Sequence, residues 1–422
     1  MEKMRPQKLL VFLVLLTLCL SVIQLASVTP AIAQSFPVTI TDDAGRTITI
    51  QSEPQRIVSL APSLTETLFA LGLGDKVVGV TEYCDYPPEV KTLVEQGKIT
   101  IIGGYTTPNV EIIIGLNPDL VLGHKLMGED NLKALEDAGI TVLVFEPEDI
   151  DGIYSQIERI GKATGEEEAA ANLIDAMKAR IDAVKQKVSV VSEKVRVAQM
   201  CWLEPIWVSG GKTFINAAIE AAGGINVFSD TITGWATVSP ETVIEADPDV
   251  IIYTSMGLTV SPDEVKEKIR ELFGPTKAVQ NDRVYLLIGD AASMLERSGP
   301  GIVDGIETLA KIFYPSLYGG RAPTVITERV VSLIRPGAGY TQEQVKAIQE
   351  AKRILTQEGD VEEAYTKLVE AGVISIQIKS IAESNPVYQK LIELYGENLE
   401  RYPTLEGRIQ LLYAMGLFEI KV

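Results

Sequence analysis

Between residues 54 and 164, short β-branched apolar runs alternate with stretches whose apolar positions recur every three to four residues. Arg56-Ile57-Val58-Ser59-Leu60 has the composition of a buried parallel strand. Pro62 breaks it, and Ser63-Leu64-Thr65-Glu66 has the S-x-x-E form of a capping box that opens a helix. Leu64, Leu68 and Leu71 share one face of that helix, and Gly72 and Gly74 close it. Further strands are predicted over 77–80, 99–102, 119–122 and 141–145, with helices over 110–116, 131–138 and 150–162. Such alternation gives a parallel sheet with helices on both faces. Ahead of it, residues 36–51 alternate as a hairpin turning at Asp42-Asp43-Ala44-Gly45.

Residues 165–194 then form one long helix-prone stretch, acidic at its start and lysine-rich towards its end, as the helix dipole favours. The scheme restarts at Val195. A strand over 195–200 ends at Cys201-Trp202, Trp207-Val208-Ser209-Gly210-Gly211 leads into a helix over 213–222, and a late strand (284–287) and closing helix (301–314) follow. Asn117-Pro118-Asp119-Leu120-Val121 matches Asp247-Pro248-Asp249-Val250-Ile251, so the second half repeats the first. Residues 319–422 leave this scheme. They carry about four helix signals, two opened by Thr341 with Gln344 and by Asp360 with Glu363, which makes them a helical appendage. The division is therefore 1–33, a hairpin over 34–53, a first α/β lobe over 54–164, a linker helix over 165–194, a second α/β lobe over 195–318, and the appendage.

Composition narrows the function. The formal net charge is −19, and without the net positive residues 1–33 it is roughly −21. That excludes the basic footprint of a nucleic-acid binder. Lys3, Arg5 and Lys8, an apolar core over 9–20 and Ala31-Ile32-Ala33 make residues 1–33 a secretory signal. The competing reading is an uncleaved anchor; Cys19 lies in a poor lipobox. Cys84 and Cys201 fall in different lobes, where a bridge would clamp the cleft, so they are expected as free thiols. One histidine, His124, cannot assemble the multi-histidine site of a bare metal-ion carrier. Ser209-Gly210-Gly211-Lys212-Thr213 ends like a P-loop, but Ile206 stands where its first glycine is required. No enzyme motif remains.

Ligands of open α/β sheets bind beyond the carboxyl ends of the strands. Tyr83, Tyr105 and His124 fall there in the first lobe, and Trp202, Trp207 and Trp235 belong to the second. Large rings of this kind suit a broad, flat ligand. Asp290 and Arg297 lie on the late loop; Arg297 suits an amide, carboxylate or phosphate, or pairs with Glu296 or Asp290 on the surface.

The run from Arg56 to Val90, ending in Tyr83-Cys84-Asp85-Tyr86-Pro87-Pro88, resembles the first lobe of the substrate-binding proteins of ABC importers. The class is the one that carries vitamin B12 and other corrinoids, iron-siderophores or haem, and the ending is most similar to its corrinoid branch. The resemblance implies two Rossmann-like lobes with parallel sheets joined by one stiff helix, the appendage having no counterpart. It implies aromatic ligand contacts at Tyr83, Tyr105, His124, Trp207 and Trp235, and polar ones at Asp290 and Arg297. The chain departs from the pattern where His124 replaces a larger aromatic and Cys201, beside Trp202, takes another aromatic position. Glu66 and Glu220 match two glutamates exposed on the lobe tops, which dock on arginines of the membrane permease. The expected role is an exported, non-enzymatic carrier without cofactor. It would hold a corrinoid in the cleft and deliver it to a permease with its ATPase subunits, with membrane contact through the permease. A ferric siderophore or haem is the rival cargo, and a cell-surface interaction protein working through the appendage is the rival class.

Overall fold

The computed structural model describes residues 36–255, 261–318, 320 and 324–326. The hairpin pairs β1 (Val38–Thr41) antiparallel with β2 (Thr47–Ile50). Its turn is fixed by the buried Asp42, whose carboxylate accepts from the Ala44 and Arg46 amides and from Val144 N at 3.1 Å. That last bond fastens the hairpin to the first lobe.

The first lobe runs β3 (Ile57–Ser59), α1 (Pro62–Ala70), β4 (Val77–Val80), α2 (Glu89–Glu95), β5 (Thr100–Ile101), α3 (Val110–Gly115), β6 (Leu120–His124), α4 (Glu129–Asp137), β7 (Val142–Phe145) and α5 (Ile150–Thr164). Its sheet has the order β5-β4-β3-β6-β7, parallel throughout. The capping box at Ser63 and Glu66 does not form. The helix starts two residues earlier, with Ala61 as its cap and Pro62 at the first helical position. Proline's fixed φ suits that position and its missing N–H costs nothing there.

The linker is shorter than the 165–194 expected. Gly165, at φ 82°, ends α5 in the left-handed region, and α6 (Glu167–Val188) follows as a separate helix about 33 Å long. Ala170, Ile174, Met177, Ile181, Val184 and Val188 form its buried stripe. They join one apolar core with residues of both lobes, from Ile57 and Leu122 to Val197 and Ile252.

The second lobe runs β8 (Arg196–Leu203), β9 (Ile206–Ser209), α7 (Phe214–Ala221), β10 (Ile225–Asn226), β11 (Trp235–Val238), α8 (Pro240–Ala246), β12 (Val250–Ser255), α9 (Pro262–Phe273), α10 (Lys277–Gln280), β13 (Val284–Ile288), α11 (Asp290–Glu296), α12 (Ile302–Phe313) and β14 (Val325–Ile326). The main order is β11-β9-β8-β12-β13-β14. β8, β12, β13 and β14 are parallel, as expected, whereas β9 and β11 run antiparallel. The segment at Trp207 is thus a strand folded back on β8, not a loop entering a helix. A second correction concerns the boundary at 318: Val325 and Ile326 pair with Leu286 and Leu287 and belong to the second lobe. The helix signals beyond them lie outside the described residues.

The repeat extends to single bonds. Asn117 and Asp247 both adopt the left-handed conformation, φ 47° and 41°, which Asn and Asp tolerate best among side-chain-bearing residues. Asp119 accepts from the Arg56 amide and Asp249 from the Arg196 amide. The two arginines in turn donate to the ends of the preceding helices, at Leu116 O (2.7 Å) and Ala246 O (2.9 Å).

Candidate ligand cleft

In the first lobe the site residues are held by what lies beneath them. Cys84 is buried, and its Sγ lies 3.1 Å from both Thr65 Oγ1 and Thr81 Oγ1, while Thr65 also donates to Ser59 Oγ at 2.8 Å. Burial pushes the Cys84 thiol up, which keeps it protonated and inert. Anchored at Cys84, the loop leaves the neighbouring Tyr83 ring half exposed at the carboxyl end of β4.

Tyr105 and His124 are brought together. Their rings stack with centroids 3.8 Å apart and planes 9° from parallel, and His124 Nε2 lies 3.0 Å from the Tyr105 carbonyl oxygen. His124 is only 5% exposed, and burial drops its pKa to about 4. It is therefore neutral at pH 7 and serves the stack as a flat ring. Tyr105 is pushed up to about 12 by burial and, secondarily, by the Glu146 charge.

In the second lobe all three tryptophans of the chain share one face of the β8-β9-β11 ribbon. Trp202 stands opposite Trp207, Trp207 opposite Thr237, and Trp235 is two residues along β11 from Thr237, hence on the same side. The other side, with Ile206 and Val208, is core. Trp202 is 53% exposed, and Trp207 and Trp235 are each 39% exposed. The Trp202 indole is aimed by Nε1 donating to Glu204 O at 2.8 Å.

Arg297 is not the surface ion-paired residue that Glu296 or Asp290 would make of it. It is buried and reaches the opposite lobe, donating from Nη2 to Asp85 Oδ1 at 2.7 Å and to Tyr83 O at 3.3 Å. Asp290, the first residue of α11, is exposed. Glu296 is held up by burial, against a hydrogen bond from Thr254 and the Arg297 charge. Cys84 and Cys201 are free thiols in different lobes.

The two glutamates part company. Glu220 is exposed and accepts from Asn216 Nδ2 at 2.9 Å. Glu66 is only 4% exposed, contrary to the expected lobe-top position. The first seven residues of α1 are all buried, and the second lobe's Gly299 packs against Ser63, one turn from Glu66.

Sequence reasoning missed Asp85, although it sits in the Tyr83–Pro88 motif, and Gln156, whose Nε2 donates across the lobes to Ser298 O at 2.9 Å. Both make contacts across more than 140 residues, for which no local pattern exists.

Two α/β lobes on one connecting helix, with aromatic and polar groups gathered at their sheet ends, define a two-lobed solute-binding protein. The family model described as periplasmic binding protein matches residues 57–291, and the chain belongs to that family. An uncharacterized ABC transporter substrate-binding lipoprotein of Bacillus subtilis is 36% identical over 293 residues, covering 67% of this chain and 87% of that protein. A cobalamin-binding protein of Halobacterium salinarum is 33% identical over 288 residues, 67% of this chain and 75% of its own length. The periplasmic haem-binding protein RhuT of Roseiflexus superposes with a TM-score of 0.55 at 28% identity, covering 62% of this chain and 99% of that one. The protein is accordingly an ABC-transporter binding protein of the vitamin B12, haem and siderophore class, a class of solute carriers and not of enzymes.

Proposed function

We propose that the protein is exported, captures a corrinoid between its lobes and hands it to an ABC permease. The observation that carries the cargo assignment is the face formed by Trp202, Trp207 and Trp235, apolar area fit for a broad macrocycle. The cobalamin-binding relative supports the same reading. Neutral His124 fits it too, since it offers a ring for packing and no charge. The test is calorimetry and absorbance titration of the purified protein with cyanocobalamin, haemin and a ferric hydroxamate. One-to-one binding of cyanocobalamin, tighter than the others, is the expected result. Binding of haemin or the hydroxamate without cyanocobalamin would reject the corrinoid.

For delivery, Glu220 is the docking carboxylate, exposed on α7. Glu220→Ala should leave cargo affinity within about twofold while cutting transporter-coupled uptake by tenfold or more, the scale of losing a charge-assisted contact. Undiminished uptake would remove Glu220 from the interface.

A further inference from the structure

Arg297 enters from the second lobe, yet its hydrogen bonds go to Asp85 and the Tyr83 carbonyl of the first. Those bonds use Nη2 alone. Nε and Nη1 are buried and have no hydrogen-bond partner among the described residues, and the residue is 5% exposed. A buried donor without an acceptor is costly, and native proteins hold few of them. Two on one side chain mark a place kept for an acceptor from outside the chain. They lie on the guanidinium that also meets the backbone of the half-exposed Tyr83.

Charge decides which acceptor fits. The positive charge of Arg297 is already matched by Asp85 Oδ1 at 2.7 Å, while the other oxygen of Asp85 faces Lys91 at 3.9 Å, an exposed and water-screened pair that offsets little of the Asp85 charge. A carboxylate arriving at Nε and Nη1 meets a neutralised pair and the repulsion of Asp85 within a few ångströms. A carboxamide or other uncharged carbonyl can accept both donors without that repulsion. We propose that Asp85 sets the charge selectivity of the cleft: by neutralising Arg297, it leaves two neutral-acting N–H donors that take an uncharged carbonyl on the cargo rim and reject a carboxylate. This rests on the reading of the protein as a carrier of a large metal chelate.

The test compares dicyanocobinamide, whose corrin rim carries carboxamides, with dicyanocobyrinic acid, the same ring bearing carboxylates, at about 0.15 M salt to screen distant charges. The measured quantity is the ratio of their dissociation constants. The intact protein should favour the carboxamide, and Asp85→Asn should shift the ratio towards the carboxylate by about tenfold or more. Asp85→Ser serves if the asparagine variant does not fold, and Asp85→Glu should keep the original ratio. Glu82→Gln removes an exposed neighbouring charge and should shift the ratio by less than about threefold, which separates the specific pair from general acidity. An unchanged ratio in Asp85→Asn, or an equal shift in Glu82→Gln, overturns the inference. If neither corrinoid binds, the corrinoid assignment fails, and haemin against its dimethyl ester replaces the pair. Preference for the ester, reversed in Asp85→Asn, then upholds the inference; preference for the diacid, or binding of neither, overturns it.

Discussion

Trp235 keeps more than a third of its surface exposed on a ribbon whose other face is core, so its loss takes little from folding and much from a covering ligand. Trp235→Ala should weaken cargo binding by roughly 1–3 kcal/mol, the range for an aromatic anchor, with an unfolding midpoint close to that of the unaltered protein. An unaltered dissociation constant would place the ring outside the cleft. His124 gives a prediction in pH. Its folded pKa of about 4 lies below the ordinary 6.5, so the unfolded chain binds a proton where the folded one does not. The stability it contributes is fully present above pH 6.5 and is lost as pH falls from there towards 4. His124→Phe keeps a ring against Tyr105 and removes the titration. Denaturant unfolding at pH 7 and pH 4.5 should show the histidine protein losing more stability than His124→Phe, by roughly 2 kcal/mol or more. Equal losses would refute the neutral, buried histidine. Tyr83, Tyr105, His124 and Trp202 could be placed in the sequence because each follows a recognisable strand, whereas the strands that carry Trp207 and Trp235 were not recognised. The partner of Arg297 was not, because Asp85 is 212 residues away and only the packing of the lobes brings them together.

Among the elements, the strands of the first lobe were legible because apolar runs bounded by glycine, proline and capping residues mark parallel strands, while the short helix α2 (Glu89–Glu95) was missed. Two local signals misled. Ser63 and Glu66 mimic a capping box, yet Pro62 starts the helix first. Strand β9 is four residues long, with exposed Trp207 between buried Ile206 and Val208, too brief an alternation to stand out before Gly210 and Gly211. The late edge strand was missed for the same reason, being two residues long. Val325–Ile326 pairs with β13, and Thr324 binds Leu286 N through its carbonyl at 2.9 Å and Lys266 through its hydroxyl at 2.6 Å. A chain ending at Tyr318 should therefore lose about 1–3 kcal/mol of stability from these bonds and the buried Ile326 side chain. A chain ending at Ile326 should unfold like the full protein and bind cargo with the same affinity. Thermal unfolding and calorimetry of the two truncations check this. Equal stability of both would make the edge strand dispensable, and lost binding in the longer one would show that later residues build part of the cleft.

At the scale of the whole molecule, the lobes are connected in sequence by one helix whose buried stripe lies in a core that both lobes share. The helix is tied to the second lobe by Arg180, which pairs with Asp304 at 2.6 Å and Glu307 at 3.0 Å on α12. Gln156 and Arg297 add direct bonds between the lobes. Hinge closure needs a few residues free to change φ and ψ; here Gly165 is the left-handed break next to the helix, and the helix itself is packed along its length. Cargo binding should therefore change the radius of gyration by less than about 1 Å, within the range of pre-organised partners. Small-angle scattering with and without cyanocobalamin measures it. Arg180→Ala should enlarge the change by freeing the helix from α12, at a cost of about 1–3 kcal/mol in stability from the two charge-assisted bonds lost. Compaction of several ångströms in the unaltered protein would show that the lobes swing shut about Gly165, and the stiff-helix account would fall.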